Sequence, residues 1–286
     1  MMRIPDEDKP HFSASQLMCY LQCPLQYYFQ YELGIAWEKT PSAVVFGGSM
    51  HSAIEAINRG LMEESPINRA QAESVFTNSW KEGTKENQIA WKENPSDMFE
   101  KGKVLINLYY DEMGKEKPTE VELPFRLPLI DPSTGLFIQS LDIVGKIDAI
   151  FTDDTIIEIK TTGRSPVQQE IDQNLQLTLY SWAYRLLYGS SEKSLKVVSL
   201  VKTKEPKVIV TETQRTERDH SWLIATISQV VRAIEMKLFY PNVIGGFGCF
   251  NCNYQEKCKE GYDEHYLLSQ HGGDAGRPVE SYADGG

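Results

Sequence analysis

Two short apolar segments joined by an acidic turn, at residues 144–163, carry three charged side chains among isoleucines. The β-branched residues on either side of Asp-Asp predict two consecutive β-strands. Asp148 falls late in the first strand, and Glu158 and Lys160 lie two residues apart on one face of the second. Glu-x-Lys alone is a weak signal and usually marks a solvated face. Here the isoleucines predict a central strand, where unpaired charges are costly.

The length of the turn decides whether these side chains meet. A three-residue turn at 152–154 sets Asp148 directly across from Glu158, whereas a two-residue turn separates them unless a bulge intervenes. If they converge, two carboxylates with a water or a backbone carbonyl form an oxygen site for Mg²⁺ or Mn²⁺. Such a metal acidifies an attacking water and stabilises a phosphoryl transition state, while Lys160 orients the water or holds the phosphate.

The rest of the chain divides by pattern. We expect a flexible leader at 1–11, a mainly helical part at 12–115, and a core of strands and helices at 116–245. A cysteine cluster follows at 246–260, and a polar, glycine-rich tail, expected to be mobile, occupies 261–286. This order predicts an α/β (α+β) fold with an N-terminal helical part.

Charge and hydropathy exclude some classes of protein. The net charge of −11 argues against a protein that coats nucleic acid generally, but 261–286 contributes −4 of it. Carboxylates that bind a metal cation also count as negative in this net charge, so an enzyme that binds DNA in one local groove is not excluded. No apolar run is long enough for a membrane span, and the N-terminus has no signal-peptide core, so an intracellular protein is expected.

Two helices carry further candidates. His51 and Glu55 lie one turn apart, as a metal ligand with a supporting carboxylate or, more simply, as a surface pair. Gln176 and Tyr180 lie beside the apolar stripe of their helix, where they reach a phosphate or a base, or are ordinary boundary residues.

Five cysteines complete the set of candidates. Cys249, Cys252 and Cys258 are close enough in sequence to bind one metal centre, and their fourth ligand must come from elsewhere. The spacing allows either a four-cysteine zinc site or an iron–sulfur cluster. Independent buried thiols are a poor explanation for three cysteines within ten residues, whereas Cys19 fits a core thiol.

Together these residues resemble the RecB-type exonuclease branch of the PD-(D/E)xK superfamily, and they are similar to the iron–sulfur nucleases of CRISPR adaptation. The resemblance covers Ser13 to Cys258. The signatures, in the family's order, are Ser13-x-Ser15 with Cys23-Pro24-x-x-Tyr27; Gly47-Gly48 before His51; Gly145-Lys146-Ile147-Asp148; Glu158-Ile159-Lys160; Gln176-x-x-x-Tyr180; and Cys249-x-x-Cys252-x5-Cys258.

The resemblance implies a restriction-endonuclease-like mixed sheet flanked by helices, with 116–245 as the nuclease core. It implies as metal ligands His51, Asp148, Glu158 and the Ile159 carbonyl. It makes Asp148, Glu158 and Lys160 catalytic, and it gives Gln176 and Tyr180 a role in contacting substrate. It also implies that Cys23 joins Cys249, Cys252 and Cys258 around a 4Fe–4S cluster, with zinc as the other occupant.

The function implied is a Mg²⁺- or Mn²⁺-dependent exonuclease at DNA ends, with single strands preferred, in recombination, repair or CRISPR-type processing. It would act in the cytoplasm of a prokaryotic cell or a virus-infected host. The chain has no P-loop, so unwinding would require a partner such as a helicase, and CRISPR-adaptation integrase proteins are the other expected partners. The alternatives are a non-catalytic subunit that binds DNA or a helicase, and a nuclease directed at RNA.

Overall fold

The computed structural model describes most of the 286-residue chain. The described residues are 11–85, 88–131, 134–242, 249 and 252–260. The predicted tail and all but the last residue of the predicted leader lie outside them, as does part of the cysteine segment. Within the described part, no helix is long and apolar enough to cross a membrane.

Helices and strands alternate along the chain. The helices are α1 (Ala14–Gln22), α2 (Pro24–Tyr27), a π-helical turn (Tyr28–Glu32), α3 (Ser42–Met62), α4 (Arg69–Lys85), α5 (Pro95–Met113), α6 (Gln168–Asp172), α7 (Leu175–Tyr188), α8 (Glu217–Glu235) and α9 (Gln255–Glu260). The strands are β1 (His11–Ser13), β2 (Thr40–Pro41), β3 (Ile89–Ala90), β4 (Pro118–Ile130), β5 (Phe137–Phe151), β6 (Thr155–Thr162), β7 (Ser194–Val201) and β8 (Lys207–Thr213).

Six of these strands form one mixed sheet. β4 pairs antiparallel with β5 along nearly its whole length. The other edge of β5 is shared by β1, which is parallel to it, and β6, which is antiparallel to it. β6 then pairs parallel with β7, and β7 pairs antiparallel with β8. The mixed sheet flanked by helices that the sequence predicts is confirmed.

Two apolar cores lie on the two faces of the sheet. One is built mainly from α1, α7 and α8, and the other from α3, α4 and α5. The alternation of β6 divides its side chains between them: Ile156 faces the first core, and Ile157 and Ile159 face the second. Burial on both faces explains why β6 has a nearly continuous run of isoleucines.

The N-terminal segment belongs to this sheet. His11, expected in the flexible leader, begins β1 and pairs with Asp142 of β5. α1 follows at once, since the Ser13 hydroxyl accepts from the Gln16 amide (3.1 Å) and the Gln16 side chain accepts from the Ser13 amide (2.8 Å). This capping box fixes where α1 begins, beside the middle of β5.

The helical segment 168–188 is divided in two. The Asn174 side chain accepts from the Leu177 amide (3.1 Å) and starts α7 as a new helix after α6. α7 ends at Gly189, in the left-handed conformation (φ +68°) that glycine adopts without a Cβ penalty. The new start at Asn174 sets the face of α7 on which Gln176 and Tyr180 lie.

Candidate active site

The turn between β5 and β6 has the length that brings the predicted carboxylates together. β5 ends at Phe151 and β6 begins at Thr155, which leaves the three residues 152–154 between them. Ala149 pairs with Ile157 and Ile150 with Ile156, so the same register sets Asp148 opposite Glu158. Of the two turn lengths considered, the structure has the three-residue turn, and Asp154 takes a left-handed conformation (φ +62°) within it.

Asp148 and Glu158 are both buried, with 7% and 2% of their surfaces exposed. Asp148 Oδ2 accepts a hydrogen bond from the Ile159 amide at 2.8 Å. Glu158 Oε1 forms an ion pair with Lys160, while Glu158 Oε2 is buried and has no hydrogen-bond partner in the described structure. Burial, followed by repulsion from Glu158, raises the pKa of Asp148 to about 7.

Lys160 is held by a chain of hydrogen bonds to α7. Its ammonium donates to Gln176 Oε1 (2.8 Å), so the Gln176 amide nitrogen is left to donate to the Tyr180 hydroxyl (2.8 Å). Burial, followed by the charges of Glu158 and Asp148, raises the pKa of Tyr180, so its hydroxyl keeps its proton. The structure therefore places Gln176 and Tyr180 against the carboxylate and the lysine, and their predicted contact with substrate stays a prediction.

His51 reaches the same place from α3, across the sheet from α7. Its Nε2 lies 3.1 Å from the Ile159 carbonyl oxygen, the backbone atom expected to bind metal. Its Nδ1 lies 4.0 Å from Glu122 of β4. The nearby Glu122 carboxylate raises the pKa of His51, although burial opposes it.

Glu122 is the site residue that the sequence analysis missed. One ligand atom each from His51, Glu122 and Asp148 lie within 4.8 Å of one another. The expected supporting carboxylate, Glu55, instead accepts from Arg59 at 2.7 Å. A signal existed, because Glu122 is an acidic residue flanked on both sides by apolar residues in a strand, as Asp148 is.

An open cleft of about 460 Å³ is lined by His51, Glu122, Asp148, Gln176 and Tyr180. Its lining includes Ser13 and Ser15 at the start of α1, Gly48 on α3, and Lys146 on β5. A Cβ on Gly48 would meet nothing within 4 Å, so the glycine keeps this wall of the cleft open. The sequence signatures of the N-terminal half therefore meet the carboxylate–lysine group in space.

Comparison with known families decides what this arrangement is. The model of the PD-(D/E)XK nuclease superfamily matches residues 11–259. The chain belongs to the PD-(D/E)XK nuclease superfamily. The match spans every element that contributes to the cleft.

One solved structure supports the fold. A candidate exonuclease from Eubacterium rectale is similar over 98% of this chain and 97% of its own, with a TM-score of 0.53 and 10% identity. The structure of SSO0001 matches over 82% of this chain and 94% of its own, with 15% identity and a TM-score of 0.36. No curated protein matches the chain. At this identity the first similarity shows the shared fold alone.

The donor set fits the divalent cation that PD-(D/E)XK nucleases usually use. Two buried carboxylates face each other, and one oxygen, Glu158 Oε2, lacks a partner, which is costly unless a cation satisfies it. Asp148, Glu158, His51 and the Ile159 carbonyl would hold the ion. When bound, it lowers the pKa of a water and stabilises charge on the phosphoryl group. Lys160 supplies a fixed positive charge beside it.

A second candidate centre joins the two ends of the described chain. Cys23, Cys249, Cys252 and Cys258 line one cavity of about 280 Å³, walled by Leu25, Phe29 and Tyr254. The Asn242 amide donates to Cys23 Sγ (3.5 Å), and Cys249 Sγ donates to the Asn242 carbonyl (3.6 Å). Four sulfur ligands in an apolar shell suit an iron–sulfur cluster or zinc. Cys19 lies in the first core, as predicted.

Buried polar groups also brace α7 against α8, away from the cleft. The Ser181 hydroxyl donates to Glu192 Oε1 (2.6 Å), so it accepts from His220 Nε2 (2.7 Å). His220 Nδ1 is then an acceptor, buried and without a partner in the described structure. Burial and the nearby Arg185 lower the pKa of His220 to about 4. The serine donates to the carboxylate rather than facing a histidine base, so this is not a nucleophilic triad.

Proposed function

We propose that the chain is a Mg²⁺- or Mn²⁺-dependent deoxyribonuclease that hydrolyses phosphodiester bonds at DNA ends, with single strands preferred. The observation that carries the proposal is the buried pair of Asp148 and Glu158 on adjacent strands, with Lys160 paired to Glu158. An unpartnered carboxylate oxygen and an anchored lysine, next to residues Asp148 and Gln176 that line an open cleft, suit the hydrolysis of a phosphodiester.

Each residue has a defined part in this proposal. Asp148, Glu158, His51 and the Ile159 carbonyl bind the cation. Lys160 holds the attacking water or a non-bridging phosphate oxygen, and its bond to Gln176 keeps the ammonium in place. Gln176 and Tyr180 then contact the substrate from α7 while they orient Lys160.

Exonuclease action and the pathway follow from the resemblance to RecB-type nucleases. The absence of a P-loop in the sequence fits an enzyme that receives unwound ends from a helicase, or DNA to be trimmed for an integrase. We therefore place the activity in recombination, repair or CRISPR-type processing in the cytoplasm.

We further propose that Cys23, Cys249, Cys252 and Cys258 hold a 4Fe–4S cluster with a structural role. The contacts around them support a staple, because Leu25 N donates to Tyr240 O (3.1 Å) across more than 200 residues. A clip between segments so far apart removes much freedom from the unfolded chain. Visible absorption with iron analysis supports the cluster, whereas stoichiometric zinc with no colour refutes it.

The test of the nuclease uses DNA labelled separately at its 5′ and 3′ ends. Single-stranded DNA, duplex DNA and RNA of one sequence are incubated with Mg²⁺ or Mn²⁺ and the wild type, Glu158→Gln or Glu170→Gln. Glu170, which lies on α6, is the matched control, since its carboxylate forms an exposed ion pair with Arg164. We expect metal-dependent release of one label first, loss of activity in Glu158→Gln, and no change in Glu170→Gln.

The other outcomes are informative. Cleavage of RNA alone would replace DNA as the substrate, and internal fragments without ordered label release would indicate an endonuclease. No cleavage by folded, metal-binding protein would favour the non-catalytic subunit. Activity that survives in Glu158→Gln would mean that the site is assigned wrongly.

A further inference from the structure

Glu122 has a backbone conformation that its position in a strand does not explain. It lies in β4 with φ +53°, in the left-handed region, although its neighbours keep regular pairing: Val121 with Ala149 and Leu123 with Ile147. A residue with a Cβ is strained in this conformation, because the Cβ approaches the neighbouring carbonyl oxygen. Such strain persists where surrounding contacts hold it, and it concentrates at functional sites.

The contacts that hold Glu122 are side-chain contacts. The register of β4 and β5 sets it opposite Asp148, and only 9% of its side chain is exposed. One carboxylate oxygen forms an ion pair with Lys146, and the other faces His51 Nδ1 at 4.0 Å. The carboxylate is thus compensated on both sides and fixed in place, as a partly buried charge needs to be.

The opposite side of the imidazole ring faces the site. With Nδ1 turned to Glu122, Nε2 lies 3.1 Å from the Ile159 carbonyl oxygen. Histidines that bind metal generally donate their other ring nitrogen to a carboxylate or carbonyl, which fixes the ring orientation and the tautomer. His51, between Glu122 and the Ile159 carbonyl, has that arrangement.

We propose that Glu122 is a positioning residue, which accepts from His51 Nδ1–H and thereby directs Nε2 to the cation bound beside Ile159. The inference rests on the metal site of the proposed function. It assigns Glu122 an action through His51, rather than a place among the ligands or in contact with the substrate.

The test measures Mn²⁺ binding without substrate, together with the ring protons of His51. The variants are Glu122→Gln and the matched control Glu120→Gln, which lies two residues away on β4 and outside the cleft. We expect Glu122→Gln to weaken Mn²⁺ binding by about 10-fold, the lower end for such supporting residues. At saturating Mn²⁺ its kcat should stay near the wild-type value, and Glu120→Gln should leave both unchanged.

Nitrogen-15 NMR of the metal-free protein reports the ring directly. In the wild type we expect a hydrogen-bonded Nδ1–H on His51, identified by the loss of its signal in His51→Gln, and a changed signal in Glu122→Gln. Glu122→Gly is the second variant: glycine relieves the positive φ, so the fold should hold while Mn²⁺ binding weakens.

Several outcomes would overturn the proposal. Unchanged Mn²⁺ affinity in Glu122→Gln would exclude the positioning role, and so would an unchanged His51 signal. Weaker Mn²⁺ binding together with an unchanged His51 signal would make Glu122 a metal ligand instead. A collapse of kcat at saturating Mn²⁺ makes it catalytic. If the wild type binds Mn²⁺ but cleaves no nucleic acid, the proposed function fails, while the role of Glu122 is still decided by the binding and NMR data.

Discussion

Replacing Asp148 with asparagine should stabilise the metal-free protein while abolishing activity. At pH 8 the wild type must keep Asp148 ionised beside Glu158 in a buried position, and its pKa is raised from 3.8 to about 7. This difference corresponds to about 4 kcal/mol of lost stability relative to the unfolded chain. Asparagine removes that charge and keeps an oxygen to accept from the Ile159 amide.

The net gain should be smaller than the full electrostatic cost. The new amide buries two donors, which costs about 1–2 kcal/mol if they are poorly paired. We therefore expect Asp148→Asn to be more stable by about 2 kcal/mol at pH 8. With 2–4 °C per kcal/mol in domains of 150–250 residues, the unfolding temperature should rise by roughly 4 °C.

The pH dependence gives a second check. Between pH 3.8 and about 7 the folded state binds the Asp148 proton and the unfolded state has lost it, so this contribution to stability falls as pH rises. The difference between Asp148→Asn and the wild type should therefore be small near pH 4 and reach its maximum above pH 7. Added Mg²⁺ or Mn²⁺ should stabilise the wild type and have little effect on the variant, which reverses their order.

The assay is thermal unfolding followed by circular dichroism at several pH values, with chelator or with Mn²⁺, on samples of equal iron content. A variant that is less stable than the wild type at pH 8 without metal would refute the reasoning. So would a difference that does not change between pH 4 and pH 8. Either result would mean that the two carboxylates are not a source of repulsion in the metal-free fold.

Three other perturbations have definite expected results. Between pH 6.5 and about 4, His220 is protonated in the unfolded chain but not in the folded protein. The free energy of unfolding should therefore decrease as pH falls, by up to about 3 kcal/mol. In urea unfolding, His220→Gln should show a weaker dependence on pH. Gly145→Ala places a Cβ 2.4 Å from the Phe125 ring and should lower the free energy of unfolding by about 1–3 kcal/mol. A variant as stable as the wild type would contradict this close approach. Cys252→Ala should lose visible colour and thermal stability together, whereas Cys19→Ser should keep the colour; retention of both properties in Cys252→Ala would exclude the staple.

The part of the site that the sequence predicts is the part that is local. Asp148, Glu158 and Lys160 lie within thirteen positions of one another, and the length of one turn decides their register. Isoleucines on both sides mark β6 as buried, so its charged residues need partners. The sequence therefore places the three residues on neighbouring strands, and the three-residue turn seen in the structure sets the carboxylates opposite each other.

Glu122 was not predicted because its position depends on a distant pairing. It meets Asp148 through the register of a long hairpin whose strands end at 130 and begin at 137, with shifts near that turn. Its left-handed φ has no local signal such as glycine or asparagine. Likewise, helix periodicity placed Gln176 on the correct face of α7 but could not reveal that Lys160 is its partner.

The cysteine segment and the cleft are connected through α1. The start of this helix, with Ser13 and Ser15, lines the cleft, and its C-terminal end is followed at once by Cys23. The far end is tied to the chain beyond α8, since the Tyr20 hydroxyl donates to Leu238 O (2.7 Å) and Asn242 donates to Gln22 O (3.0 Å). The proposed metal centre at Cys23 would anchor the helix that forms one wall of the cleft. Its loss should loosen that wall before it disturbs Asp148, which β4 and β6 hold from both sides.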